Sequence, residues 1–191
     1  MADTFDILNG SAEDVAPRLL GCYLVREMRG HTLVAKIVET EAYDQTDVAS
    51  HSYKGETPRT KVMFGGPGHL YVYFTYGMHY CCNVVVGPPG HGAAVLIRAV
   101  EPLEGEDAMS ANRHGIASEQ LTNGPAKLCY ALGIDKNMSG HDLHKPPLQL
   151  IINAPVPHTS ITQTTRVGIS RGKEMPWRFY LKGNKYVSRP L

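Results

Sequence analysis

Long apolar runs, charge of one sign and a cysteine framework are all missing from this sequence, and each absence removes a class of function. No stretch approaches the roughly 18–20 apolar residues that a membrane span requires, so no membrane association is expected. The opening Met1-Ala2-Asp3-Thr4-Phe5-Asp6 has no basic segment followed by an apolar one, and the chain is expected to stay in the compartment where it is made. A formal net charge of +1 gives no global attraction to a polyanion. Any nucleic-acid partner must therefore be held by local basic clusters. There are four cysteines, two of them adjacent at Cys81 and Cys82. Neighbours on a strand point to opposite faces, so reduced core thiols of an intracellular protein are the better reading. Gly65-Gly66-Pro67-Gly68 lacks the Lys-Ser/Thr ending of a phosphate loop, and there is no Gly-x-Ser-x-Gly elbow; neither a nucleotide hydrolase nor an esterase is supported. His141-x-x-His144 has metal-like spacing without an evident third ligand, so no metal is expected.

What is present reads as one α+β domain over residues 1–191, a mostly antiparallel sheet with surrounding helices and a protruding β-hairpin. Ser11 and Asp14 form a variant capping box ahead of Val15, Leu19 and Leu20, which predicts a short helix ending near Gly21. Two β-like runs, Cys22 to Met28 and Thr32 to Tyr43, flank Arg29-Gly30-His31 and predict a first hairpin. The chain from Asp44 to Gly68 is polar and long for a connection, which marks it as a loop over a site. Leu70 to Tyr76 and His79 to Val86 predict a second hairpin around a two-residue Gly77-Met78 turn. Ala93 to Val100 reads as a strand, Leu103 to Asn112 as helix, and Asn123-Gly124-Pro125 as a helix start closed by Gly133. Leu148 to Ile152, Arg166 to Ile169 and Trp177 to Leu181 read as short strands.

On a strand of period two, Ile37, Glu39, Glu41 and Tyr43 share one face. Two carboxylates and a phenol so aligned describe either a solvated face or the wall of a site; the loop that follows, delivering His51 and Tyr53, favours the site. In the second hairpin Tyr71 and Tyr73 share a face, while Tyr76 stands at the tip beside Met78 and His79. A tip aromatic either folds back on the core or acts as a wedge in a nucleic-acid groove. Arg98 lies within an apolar run and needs an acceptor, with Glu41 and Glu101 as candidates.

Taken together, Val38-Glu39-Thr40-Glu41-Ala42-Tyr43, Ser50-His51-Ser52, Thr57-Pro58-Arg59, Met63-Phe64, Pro67-Gly68-x-Leu70-Tyr71-Val72-Tyr73-x-x-Tyr76-Gly77-Met78, Val95-Leu96-Ile97-Arg98-Ala99-Val100-Glu101-Pro102-Leu103-Glu104-Gly105, Gly124-Pro125-Ala126-Lys127-Leu128-Cys129 and Arg178-Phe179-Tyr180 resemble the alkyladenine (3-methyladenine) DNA glycosylase family. The resemblance implies an enzyme that flips an alkylated or deaminated purine out of duplex DNA and hydrolyses its N-glycosidic bond. It implies Glu41 as the general base. Tyr43, His51, Tyr73, Asn83 and Arg98 would contact the base, and Tyr76 with Met78 would intercalate. Thr57, Arg59, Lys127 and Lys136 would contact phosphates. The expected partner is double-stranded DNA carrying a damaged purine, bound by a monomer in the cell interior, with no cofactor or metal.

One implication conflicts with the predicted turn. A two-residue Gly77-Met78 connection sets Tyr73 opposite Cys82 and Val72 opposite Asn83, which points Tyr73 and Asn83 to opposite faces. Either a bulge shifts the register or one assignment fails. Two other classes of function compete: a protein that binds lesions without cutting, against which Glu41 speaks, and a nucleosidase acting on small molecules.

Overall fold

The computed structural model describes residues 4–75 and 77–190. After a 3₁₀ turn (Thr4–Leu8) come α1 (Ala12–Arg18) and the hairpin of β1 (Tyr23–Met28) and β2 (His31–Tyr43). After the long loop come β3 (Leu70–Thr75), β4 (His79–Val85) and β5 (Ala94–Glu104). Three short helices follow, α2 (Glu106–Asn112), α3 (Ser118–Leu121) and α4 (Pro125–Ala131), and then β6 (Leu148–Ile151), β7 (Ile161–Thr164) and β8 (Arg178–Leu181). The strands form one eight-stranded sheet in the order β3-β4-β5-β2-β1-β6, with β8 paired to β2 and β7. Every pairing between these strands is antiparallel, and the fold is α+β. No helix among the described residues is long and apolar enough to cross a membrane.

The local chemistry accounts for most of these elements. Ser11 caps α1 through its Oγ, which accepts from the Asp14 N–H at 3.3 Å and donates to the Asp14 carboxylate at 2.8 Å. Ala12, Val15 and Ala16 turn the helix onto the sheet, where the Thr40 hydroxyl donates to the Ala16 carbonyl at 2.9 Å. The first hairpin closes more tightly than its sequence suggests. Met28 pairs with His31, leaving Arg29 and Gly30 as a two-residue turn with φ of 49° and 80°, and two positive φ values are what a primed hairpin turn needs. β5 runs on through Glu104, so helix begins at Glu106 rather than at Leu103. The segment Arg166 to Ile169 is not a strand but part of the loop between β7 and β8; its backbone is drawn to a side-chain acceptor described below. The cysteines are all buried and free.

Two features of register decide the site. In β2, Leu33, Ala35 and Ile37 enter the main core, and the pairing with β5 then shifts between Ile37 and Glu39 and again between Glu39 and Thr40. Beyond those irregularities Ala42 faces the main core and Thr40 faces α1. Ile37 therefore does not share the face of Glu41 and Tyr43, because a bulge inverts the alternation. In the second hairpin Thr75 pairs with His79, so the connection is three residues, 76–78, not two. Gly77 has φ of 70°, a conformation that glycine adopts without a side-chain clash. The added residue moves Tyr73 opposite Cys81 and Tyr71 opposite Asn83. All four now lie on one face, and the conflict in the sequence reading disappears.

Candidate functional site

That face forms one wall of a cavity of about 470 Å³. The end of β2 contributes Tyr43, the long loop His51, the hairpin Tyr71, Tyr73, Cys81 and Asn83, and β5 Arg98. The opposite rim is the loop of Val167 to Arg171, with Pro125 at the start of α4. Sequences far apart in the chain thus meet because the central strands β2 and β5 lie side by side and deliver their ends to the same place.

Glu41 is fully buried and does not itself line the cavity, but its partners Tyr43, Arg98 and Val167 do. Its Oε1 accepts the Val167 N–H at 2.7 Å and lies 3.3 Å from Arg98 Nη1, while Oε2 accepts the Tyr43 hydroxyl at 2.9 Å. All three partners are donors, which suits an ionised carboxylate, an acceptor only. The Val167 contact spans 126 residues of sequence and explains why a strand-like stretch stays out of the sheet: its amide hydrogen is taken by a carboxylate. Burial, then the charge and hydrogen bond of Glu41, drive the Tyr43 phenol well above its ordinary pKa, so it remains a donor.

Glu39 does structural work on the Arg98 side. Its Oε1 accepts from Arg98 Nε at 3.0 Å and from Arg178 Nε at 2.7 Å, and Ser188 supplies its N–H at 2.7 Å and its hydroxyl at 2.9 Å. Burial opposes the charge on Arg98, but Glu41 and Glu39 more than compensate and raise its pKa. Of the two acceptors expected for Arg98, Glu41 is one. Glu101 instead pairs with Lys36 at 2.6 Å.

The other side of the cavity is aromatic. His51 meets Tyr73 edge-on with centroids 4.5 Å apart, and Tyr71 and Tyr73 are 5.8 Å apart. The Tyr73 phenol is shifted up by burial and then by the neighbouring Cys81 thiol, whose own pKa burial raises to about 11; neither group is a nucleophile near neutrality. Asn83 is fixed by a bond from its amide to the Tyr71 carbonyl at 3.1 Å. Arg59 Nη2 lies 3.4 Å from His51 Nε2, and since a guanidinium only donates, Nε2 is the acceptor and Nδ1 carries the proton toward the Tyr71 hydroxyl at 3.1 Å.

Burial of the cavity side of the ring, then the Arg59 charge, lower the His51 pKa to about 4, although the residue keeps an exposed edge. The imidazole is expected to titrate near pH 4 by proton NMR, with a midpoint above 6 refuting this arrangement. Because the folded value is depressed, the contribution of His51 to stability is full above 6.5 and is lost as pH falls toward 4.

The remaining predicted residues lie outside the cavity. Thr57 shares a hydrogen bond with Thr60 at 2.9 Å, and Arg59 extends from the same loop with its Cζ 5.7 Å from the Tyr73 centroid. Lys127 on α4 donates to Asn123 at 2.6 Å, and Lys136 is exposed on a short 3₁₀ turn. Met78 is 61% exposed, its carbonyl accepting from the Tyr130 hydroxyl at 2.9 Å; Tyr76 lies outside the described residues. His141 Nε2 is 2.9 Å from two carbonyl oxygens, and no cluster of three metal-ligating side chains occurs among the described residues. Sequence reasoning missed Val167, Asp47 and Arg166. The one signal available for them was an arginine followed by an apolar residue and glycine, Arg166-Val167-Gly168, in a segment with no other reason to hold a charge.

Known proteins share this sequence at length. The model of the family described as methylpurine-DNA glycosylase (MPG) matches residues 6–185. A protein of Carboxydothermus hydrogenoformans is 56% identical over 176 residues, 92% of each chain. One from Methanoculleus marisnigri is 50% identical over 178 residues, again 92% of each chain. One from Nitrosospira multiformis is 47% identical over 184 residues, 96% of this chain and 92% of its own. All three are named, by assignment, as 3-methyladenine DNA glycosylases.

Proposed function

The chain belongs to the methylpurine-DNA glycosylase family and is a DNA glycosylase of alkylated-base repair; we propose that it flips alkylated or deaminated purines out of duplex DNA and hydrolyses the bond to deoxyribose, leaving an abasic site. The observation that carries this reading is the Glu41 carboxylate, held directly behind the wall of an aromatic cavity by Val167, Arg98 and Tyr43, three residues that line it. Breaking the C1′–N bond develops oxocarbenium character on the sugar, and a carboxylate both stabilises that charge and takes a proton from water. An ionised carboxylate offers about four lone-pair sites. Oε1 is met by two donors and Oε2 by one, so the free site on Oε2 is where the water binds.

Tyr43 on one side and His51 with Tyr73 on the other stack the base, and a positively charged alkylpurine gains cation–π attraction from the phenol faces. The neutral His51 adds no opposing charge. Among the described residues no lysine lines the cavity, and the reaction is direct hydrolysis without a Schiff base. Thr57, Arg59, Lys127 and Lys136 hold phosphates, while Tyr76 and Met78 fill the gap in the stack. The protein works as a monomer on DNA.

Duplexes carrying hypoxanthine, 1,N6-ethenoadenine or 7-methylguanine test this directly. Wild-type protein is expected to release the base and leave an alkali-labile site, with binding that weakens steeply as salt rises, and Tyr76→Ser is expected to lose most of that activity. Tight binding without an abasic product sinks the enzyme, and turnover of free nucleosides with indifference to Tyr76→Ser sinks the DNA substrate.

A further inference from the structure

Arg166 carries a full charge into the wall behind the cavity, and the reaction proposed above gives it no task. Its side chain has no exposed surface. Nη1 donates to the Asp47 carboxylate and to the Ala42 carbonyl at 2.9 Å, and Nη2 donates to the Gly172 carbonyl at 3.1 Å. Nε has no hydrogen-bond partner, and the guanidinium lies over two rings. Its Cζ is 4.7 Å from the Tyr43 centroid and 5.2 Å from that of Trp177. Tyr43 lines the cavity and Arg166 does not, so the phenol ring is a partition with space for a base on one side and a buried cation on the other.

A ring attracts a cation through the negative potential over its faces. A second cation against the rear face weakens that attraction, both by drawing on the same π density and by direct repulsion through a thin, poorly screened layer. Asp47, paired with Nη1, offsets part of the charge, which makes the residual field a property of the pair. An uncharged base feels little of this, since its stacking depends on dispersion and area rather than on charge.

We propose that Arg166, balanced by Asp47 and acting through Tyr43, sets how far the cavity favours cationic over neutral purine lesions. The guanidinium holds down the advantage of a charged base such as 7-methylguanine, and so keeps the site open to an uncharged one such as hypoxanthine. This rests on Tyr43 being a stacking wall in the proposed reaction.

The readout is the ratio of kcat/KM for 7-methylguanine to that for hypoxanthine in otherwise identical duplexes. Arg166→Met removes the charge but keeps an adaptable side chain over the rings, and is expected to raise the ratio about three- to tenfold. Asp47→Asn leaves the guanidinium uncompensated and is expected to lower the ratio by a similar factor. Arg166→Lys keeps the charge and should stay near wild type. Both neutralising substitutions remove the same ion pair and would slow both lesions alike if the pair were only a brace, so opposite movements of the ratio are the signature. Asn retains an oxygen for Nη1, so Asp47→Asn alone decides the matter if Arg166→Met fails to fold. A ratio that stays within twofold of wild type, or moves the same way in both variants, overturns the proposal. Wild-type protein that releases neither base overturns the proposed function itself, and this inference with it.

Discussion

Glu41→Gln is expected to lower the single-turnover rate of base release by about three orders of magnitude or more, with binding of a lesion duplex changed only a few-fold. Glutamine has the same shape, and its amide oxygen can still accept from Val167 and Arg98 in the place of Oε1, at 2.7 and 3.3 Å in the native protein. Its NH₂ would take the place of Oε2, where the Tyr43 hydroxyl turns from donor to acceptor. The wall therefore keeps its form while losing two things the reaction needs: a group able to take a proton from water, and a negative charge beneath the forming oxocarbenium ion. Loss of rate without loss of binding separates chemistry from recognition. Activity above about a tenth of wild type would remove Glu41 from the role of base.

How far the sequence revealed this site depends on whether each feature was local. The pairing of Glu41 with Tyr43 was legible from period two, and their side chains do meet. The same rule failed for Ile37 because the irregularity at Val38 and Glu39 carries no glycine or proline to betray it. In the second hairpin the positive φ of Gly77 was legible but the length of the loop was not, since turns of two and three residues can carry the same Gly-Met pair. That single residue decided whether Tyr73 and Asn83 faced the same cavity. The need of Arg98 for a buried acceptor was also legible. That it bridges Glu39 and Glu41 was only half so, because Glu39 reaches it after the bulge has shifted β2 against β5. Arg166 to Ile169 misled for a different reason: apolar alternation suggested a strand, whereas the Val167 amide and the Arg166 side chain answer to Glu41, Asp47 and Ala42, more than a hundred residues away. No local pattern encodes such a contact.

Arg98→Leu is expected to reduce both stability and rate, and the two losses have distinct origins. In the folded protein Arg98 bonds Glu39 through Nε at 3.0 Å and approaches Glu41 through Nη1 at 3.3 Å, with both carboxylates buried. Arg178 and Ser188 continue to compensate Glu39, but Glu41 keeps only the neutral donors of Val167 and Tyr43. Removing one member of a buried charged network typically costs about 3–5 kcal/mol, which for a chain of this size is a fall in Tm on the order of 10 °C. In catalysis, loss of the cation removes the group that meets Glu41 Oε1 at 3.3 Å, and the carboxylate is then oriented only by Val167 and Tyr43. The single-turnover rate of base release, measured at a temperature well below the lowered Tm, is therefore expected to fall about tenfold or more, and Arg98→Lys, which keeps a cation, is expected to recover part of it. An arginine that merely braced the fold would reduce stability and leave that rate where it was. A lowered rate partly restored by lysine would instead place Arg98 in electrostatic control of the base, as its contact with Glu41 requires.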